Sequence, residues 1–192
     1  MTTRQTATVF IIAFAIAAVI AFILIRSALQ PPLPPLQKPL ASFPQGMMQL
    51  SSPAFGHTQA IPALYTCDGS DIHPELSIAN VSPDAASLAL IVDDPDAPRG
   101  DWVHWTVWNI PTSTTVIEEG KRPAGVEGLT DFGRAGWGGP CPPSGTHRYQ
   151  FKLYALDIML DIHPTSTKSD LEKAMKGHIL DQALLIGTYT RK

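Results

Sequence analysis

Residues 139–156, GPCPPSGTHRYQFKLYAL, contain the pattern that decides the fold. The first half is rich in glycine and proline, which favour turns, and the second half alternates in the manner of a β-strand. Because successive side chains of a strand point to opposite faces, one face carries His147, Tyr149, Phe151, Leu153 and Ala155. That face is apolar except at its start, so the histidine and the tyrosine are predicted to lie at the rim of the core. A buried imidazole and a buried phenol need polar partners, which are either other residues or a ligand.

Further strands dominate the rest of the globular part. The pattern predicts strands over 87–92, 104–110, 149–156 and 183–189. One helix is predicted, with Ser169 as N-cap, Glu172 completing a capping box, and an apolar face that runs on to His178 and Ile179. Turn signals separate the strands without a regular βαβ alternation. The predicted fold is therefore mainly β, with antiparallel sheets and peripheral helices.

The N-terminal part has a different composition from the rest of the chain. Residues 9–25, VFIIAFAIAAVIAFILI, are an uncharged apolar run of 17 residues, near the lower limit for a membrane-spanning helix. A cleaved signal peptide is the alternative, but Arg26 at the exit and the lack of a small-residue cleavage pattern favour an uncleaved anchor. A proline-rich stretch follows, which predicts a stiff polyproline spacer.

These observations predict a layout of three parts. The parts are a membrane anchor over 1–28, a proline-rich linker over 29–45 and a single domain over 46–192. The corresponding prediction for localisation is the membrane, with a single-pass N-terminal helix as signal anchor and the globular domain outside the cytoplasm.

Charge and cysteine content narrow the function classes. The formal net charge is -3 at pH 7, so no basic surface argues for a nucleic-acid partner. Cys67 and Cys141 are far apart in the chain and are too few for a zinc framework of four cysteines. In an oxidising compartment they could pair as a disulfide, and the alternative is two separate thiols.

Polar side chains gather at the ends of the predicted strands. The turn DDPDAP over 93–98 sets two prolines among three acids, which makes it stiff enough to position Asp94 and Asp96; a solvated acidic turn is the alternative. His104 begins the next strand on the face that it shares with Trp108, where a core histidine is the alternative to a ligand-binding one. The glycines before His147 could gather backbone N–H groups around an anion.

Five motifs occur in a specific order along the domain. They are TCDG over 66–69, DPDAP over 94–98, HW over 104–105, GPCPPSGTHRY over 139–149 and GH over 177–178. Over about residues 50–189, this set resembles the phosphatidylethanolamine-binding protein (PEBP) family, in particular its bacterial and archaeal, Raf kinase inhibitor-like branch. The resemblance implies a β-sandwich-like fold of antiparallel sheets and a small pocket for phosphate-type anions, such as a phospholipid head group.

The resemblance also implies a set of site residues. The ligand-binding residues would be Asp94, His104, His147 and Tyr149, with Asp96 in support and Gly139 and Pro140 in the turn that forms the wall. Tyr149 can donate its hydroxyl to an anion, and Asp94 can hold an imidazole in one tautomer. Both Cys67 and Cys141 fall in motifs of the branch, and their pairing remains a hypothesis.

The predicted function is that of a non-enzymatic binding protein. The chain has no GxSxG elbow and no HExxH helix, and the resemblance implies neither catalytic activity nor a metal or other cofactor. The predicted partner is a small anionic ligand or a phospholipid head group. The alternative is a protein-interaction module that inhibits a protease or a kinase.

Overall fold

A computed structural model describes residues 47–191. Within this part, the chain forms nine β-strands, one α-helix and one short 3-10 helix. The strands are β1 (Gln49–Ser51), β2 (Gln59–Ala60), β3 (Leu76–Ala79), β4 (Ser87–Asp94), β5 (Trp102–Ile110), β6 (Val116–Ile117), β7 (Val126–Glu127), β8 (Thr146–Leu156) and β9 (Ile179–Thr190). The helices are the 3-10 helix Ala63–Tyr65 and helix α1 (Lys168–Met175).

The described strands form two sheets. The larger has six strands in the order β2-β9-β8-β4-β5-β7, and the smaller has three in the order β1-β3-β6. Neighbouring strands are antiparallel except for β2 and β9, which run parallel. The mainly β, antiparallel part of the fold prediction is therefore supported.

Apolar side chains cover both faces of the larger sheet. One cluster lies between the two sheets and joins Leu50 and Ile78 of the smaller sheet to Val92 and Phe151 of the larger one. The second cluster lies on the opposite face, where Leu171 of α1 packs against the sheet. All eight residues of β4 are buried, as expected for a strand that is covered on both faces.

Strand β8 follows the alternation that the sequence predicts. Its odd-numbered residues from His147 to Ala155 are buried, whereas Thr146 and Arg148 are exposed. The buried face therefore begins with His147 and Tyr149, at the end of the strand where the glycine- and proline-rich turn arrives.

The N-cap of α1 lies two residues before the predicted position. The Thr167 hydroxyl accepts a hydrogen bond from the Asp170 N–H, and the Asp170 carboxylate accepts one from the Thr167 N–H. The capping box is therefore Thr167 with Asp170, and the prediction of Ser169 with Glu172 is wrong.

Helix α1 is also shorter than its apolar pattern predicts. It ends at Met175, and Gly177 follows with a φ of 86°, a left-handed conformation that favours glycine. His178 is therefore not on the buried helix face. Its imidazole pairs with the Asp157 carboxylate at 2.8 Å, in a partly exposed position.

The predicted membrane-spanning helix requires a correction. Nowhere in residues 47–191 is there a helix that is long and apolar enough to cross a membrane. The one α-helix described has 8 residues, which at 1.5 Å per residue span about 12 Å, whereas the hydrocarbon core is about 30 Å thick. This finding overturns the transmembrane part of the fold prediction and the membrane localisation built on it. The predicted anchor over 1–28 and linker over 29–45 lie outside the described residues.

Candidate ligand-binding site

A cavity of about 380 Å³ lies at the ends of β4, β5 and β8. Its polar lining consists of Asp94, Arg99, His104 and His147. Its apolar lining includes Trp102, Phe132, Pro142 and Pro143. The cavity therefore combines a few polar groups with an apolar wall, which is typical of small-molecule sites.

His147 and Asp94 form a buried hydrogen-bonded pair in this cavity. The His147 Nδ1 lies 2.7 Å from Asp94 Oδ2, and the other carboxylate oxygen accepts a hydrogen bond from the Asp96 N–H at 2.9 Å. Because a carboxylate only accepts hydrogen bonds, the proton lies on Nδ1. The Nε2 atom of His147 is then the ring nitrogen that is available to a ligand.

His104 is buried at the start of β5, and a hydrogen bond to the backbone of Gly138 holds its ring. Its Nδ1 donates to the carbonyl oxygen of Gly138 at 2.5 Å, which leaves Nε2 as an acceptor when the ring is neutral. Burial lowers the pKa of His104. The ring is therefore neutral at pH 7, and in that state it cannot donate from Nε2.

A β-bulge turns His104 toward the cavity. Val92 of β4 pairs with Trp105, but Asp93 pairs with Val103, so His104 is the extra residue on β5. The predicted placement of His104 on the same face as Trp108 is therefore wrong. The His104 ring instead lies with its centroid 5.1 Å from that of Tyr149 and 5.4 Å from that of Phe132.

Tyr149 lies behind the lining of the cavity. The residue is 1% exposed, and its hydroxyl has no hydrogen-bond partner among residues 47–191. Burial raises the pKa of Tyr149, and the negative charge on Asp94 raises it further, so the hydroxyl stays a neutral donor. A buried hydroxyl without a partner is uncommon and is satisfied when a ligand or water supplies an acceptor.

Asp96 supports the site without lining the cavity. Its carboxylate receives two hydrogen bonds from the Arg148 guanidinium, at 2.6 and 2.8 Å, and a third from the Arg148 backbone N–H at 2.9 Å. These bonds lower the pKa of Asp96 to about 2. The pair ties the acidic turn to β8 and so fixes the position of Asp94.

Gly139 and Pro140 lie in the turn behind the cavity wall and do not line the cavity. The Gly139 N–H donates to the Asp71 carboxylate at 2.6 Å, and the Pro140 carbonyl accepts from the Cys67 N–H at 3.1 Å. The Gly138 N–H donates to the His104 carbonyl at 3.1 Å. The backbone N–H groups of both glycines are therefore already engaged and do not form the anticipated anion nest.

The surface of the wall that faces the cavity is formed by Cys141, Pro142 and Pro143. A disulfide bond joins Cys141 to Cys67, with 5.5 Å between the two Cα atoms. The wall is thus connected covalently to the segment that follows the 3-10 helix.

Arg99 and Phe132 are among the lining residues that are absent from the set predicted from sequence. Arg99 follows directly on the DPDAP motif, so its closeness to Asp94 in the sequence could have identified it as a candidate site residue. Phe132 lies in a loop between β7 and β8 that carries no strand or helix pattern, so no sequence signal pointed to it.

The arrangement is suited to recognition by hydrogen bonds and charge. The lining offers two imidazoles in defined tautomers, one guanidinium and one carboxylate, and the neutral phenol of Tyr149 is buried behind them. Over the described range 47–191, no group of three or more His, Cys, Asp or Glu side chains is arranged to hold a metal ion. The groups at the site can therefore orient a small polar ligand.

Comparison with known proteins agrees with the fold and the motifs. The family model for phosphatidylethanolamine-binding protein matches residues 51–190. A relative named UPF0098 protein from Methanothermobacter thermautotrophicus is 51% identical over 150 residues, which cover 75% of this chain and 99% of the relative. A UPF0098 protein from Chlamydia pneumoniae is 46% identical, with coverage of 75% and 99%.

Two solved structures are similar to this chain. The PEBP homologue CT736 from Chlamydia trachomatis has a TM-score of 0.75 and 43% identity, over 77% of this chain and 99% of that one. YbcL from E. coli, described as a member of the mammalian PEBP family, has a TM-score of 0.71 and 31% identity, over 76% and 99%. The family prediction is confirmed: the chain belongs to the phosphatidylethanolamine-binding protein family, among its bacterial and archaeal members.

Proposed function

We propose that the cavity binds small phosphate-bearing ligands, such as the free head groups of phospholipids, and that the protein acts by binding and not by catalysis. The observation that carries this proposal is the pairing of His147 with Asp94 beside the unpartnered hydroxyl of Tyr149. The volume of about 380 Å³ falls in the range of small-molecule sites and suits a head group.

The donors at the site match the needs of a phosphoryl group. Tyr149 supplies a neutral O–H that no described residue satisfies. His147 supplies a second donor from Nε2 when it carries two protons, and Asp94 then balances the charge of the imidazolium. A phosphoryl oxygen that accepts from both groups would satisfy the buried hydroxyl.

Isothermal titration calorimetry on the full chain tests the proposal, with phosphate, phosphoethanolamine and acetate as titrants. The variants are His147→Ala and, as a matched control, His178→Ala. His178 forms a similar pair with Asp157, but its side chain is 41% exposed and does not line the cavity. A hydrogen bond to a charged group contributes about 1.5–3 kcal/mol, so we expect His147→Ala to weaken phosphate binding by about 10- to 150-fold.

Two results would contradict the proposal. One is a folded parent protein that binds neither phosphate nor phosphoethanolamine. The other is an equal loss of binding in His147→Ala and His178→Ala. In either case, the inhibition of a protease or a kinase, which stays a prediction from the resemblance, becomes the function to test.

A further inference from the structure

The charges around the cavity are unevenly distributed. Asp94 is a fixed negative charge in the lining, and it would repel an anion. The ring of His104 is neutral at pH 7, for the reason given above. Arg99 is the only Arg or Lys among the described residues that line the cavity, so it is the permanent cation available to an anionic ligand.

The guanidinium of Arg99 is also unengaged within the part of the chain that the structure describes. Among residues 47–191, its side chain has no partner in an ion pair or a hydrogen bond. The other four described arginines have side-chain partners: Arg122 pairs with Glu127, Arg134 lies over Phe132, Arg148 pairs with Asp96 and Arg191 pairs with Asp68. Arg99 therefore differs from every other described arginine in being free to meet a ligand.

The backbone that carries Arg99 is held in place. The Gly100 N–H donates to the Ala97 carbonyl at 3.0 Å, and Pro98 forms a β-bridge with Gly100. The Asp96–Arg148 ion pair fixes the same turn to β8. The base of the Arg99 side chain therefore has a defined position at the edge of the cavity.

We propose that Arg99 selects phosphate monoesters over phosphate diesters in this cavity, an inference that rests on the proposed function. A guanidinium presents a planar fork of N–H groups that binds two oxygens of one phosphoryl group. A monoester has three free oxygens and about 1.5 to 2 negative charges at pH 7. A diester has two free oxygens and one charge.

The number of free oxygens makes the two ligand classes distinguishable. In the proposed function, one phosphoryl oxygen accepts hydrogen bonds from both Tyr149 and His147. A monoester then leaves two free oxygens and a second charge for the guanidinium fork of Arg99, whereas a diester leaves one free oxygen and carries a single charge. The favoured ligand class is therefore a phosphorylated head group that has been released from its lipid.

Calorimetry on the full chain tests this inference with phosphoethanolamine as the monoester and glycerophosphoethanolamine as the diester. The variants are Arg99→Gln and the control Arg122→Gln, since Arg122 is exposed and lies outside the cavity lining. We expect the parent and the control to prefer the monoester by about tenfold or more. In Arg99→Gln, the affinity for the monoester should fall by about tenfold and that for the diester by less than about threefold.

The outcomes separate the inference from the function on which it rests. If the parent binds both ligands equally well, or if Arg99→Gln weakens both to the same extent, the selective role of Arg99 is wrong while the head-group site stands. If the folded parent binds neither ligand, the proposed function is overturned and the role of Arg99 with it.

Discussion

Replacing Gly139 by alanine should displace the turn behind the cavity wall and destabilise the fold. An added Cβ would clash with Asp71 Oδ1 and would lie 2.6 Å from the Tyr65 carbonyl oxygen and 2.9 Å from the Thr66 Cα. Two of these three atoms belong to the backbone, so a change of side-chain rotamer cannot relieve the contacts. The turn itself has to move away from the segment that it packs against.

Two costs set the size of the expected loss of stability. Overpacking of a well-filled site costs about 1–3 kcal/mol. Movement of Gly139 also weakens its N–H bond to the Asp71 carboxylate, and a hydrogen bond to a charged group contributes about 1.5–3 kcal/mol. Because the two effects share one displacement and do not fully add, we expect a loss of about 2–4 kcal/mol in the free energy of unfolding. For a domain of this size, that loss lowers Tm by roughly 4–16 °C.

Urea unfolding and thermal unfolding, both followed by tryptophan fluorescence, measure this loss. The matched control is Gly56→Ala, because a Cβ at Gly56 meets only the flexible Gln59 side chain, at 3.3 Å. We expect the control to stay within about 0.5 kcal/mol of the parent. Equal stability of Gly139→Ala and Gly56→Ala would refute the argument that close backbone packing positions the wall.

Three further predictions concern pH, redox state and the acidic turn. Burial lowers the pKa of His104 in the folded chain, so as pH falls the imidazole is protonated in the unfolded chain before it is protonated in the folded one. The free energy of unfolding should therefore fall as pH drops below 6.5, the ordinary pKa of histidine. Acid urea titrations should show a smaller fall in His104→Gln. Reduction of the Cys67–Cys141 disulfide by a dithiol should lower stability by about 2–4 kcal/mol, measured by unfolding with and without reductant. In Arg148→Gln, the pKa of Asp96 should rise from about 2 towards its ordinary value of 3.8. The stability that this carboxylate contributes at pH values above 3.8 should therefore shrink. A carboxyl-carbon NMR titration measures the pKa, and an unchanged value would contradict the prediction.

The sequence predicts β8 well because its signal is local. The alternation from His147 to Ala155 needs only the two-residue period of a strand, and the structure buries that face. The grouping of Asp94 with His147 came from the family resemblance, and the structure brings the two side chains to 2.7 Å. Local periodicity and family motifs together were enough to find the position of the cavity.

The features that the sequence missed depend on contacts between distant segments. The bulge at His104 appears only when the register of β5 is compared with that of β4, so periodicity within β5 assigned it to the wrong face. The partner of the Gly139 N–H is Asp71, 68 residues earlier in the chain. No pattern of glycines alone can show that such an N–H group is already engaged and not available to an anion.

The end of α1 illustrates a second limit of prediction from sequence periodicity. The apolar spacing from Leu171 continues to Ile179 in the sequence, but Gly177 adopts a left-handed conformation and ends the helix after Met175. Ile179 then begins β9. A period of 3.6 residues in the sequence can therefore extend past the end of a helix into the following strand.

The most direct test of the central claim is a side-chain ¹⁵N NMR titration of the histidines in the full chain with phosphoethanolamine. We expect the Nε2 signal of His147 to shift saturably, with a smaller change at His104. The signals of His57, His73, His163 and His178 should stay constant because these residues lie outside the cavity lining. Two results would contradict this claim: no change in the His147 signal at saturating ligand, or changes confined to the four histidines outside the lining.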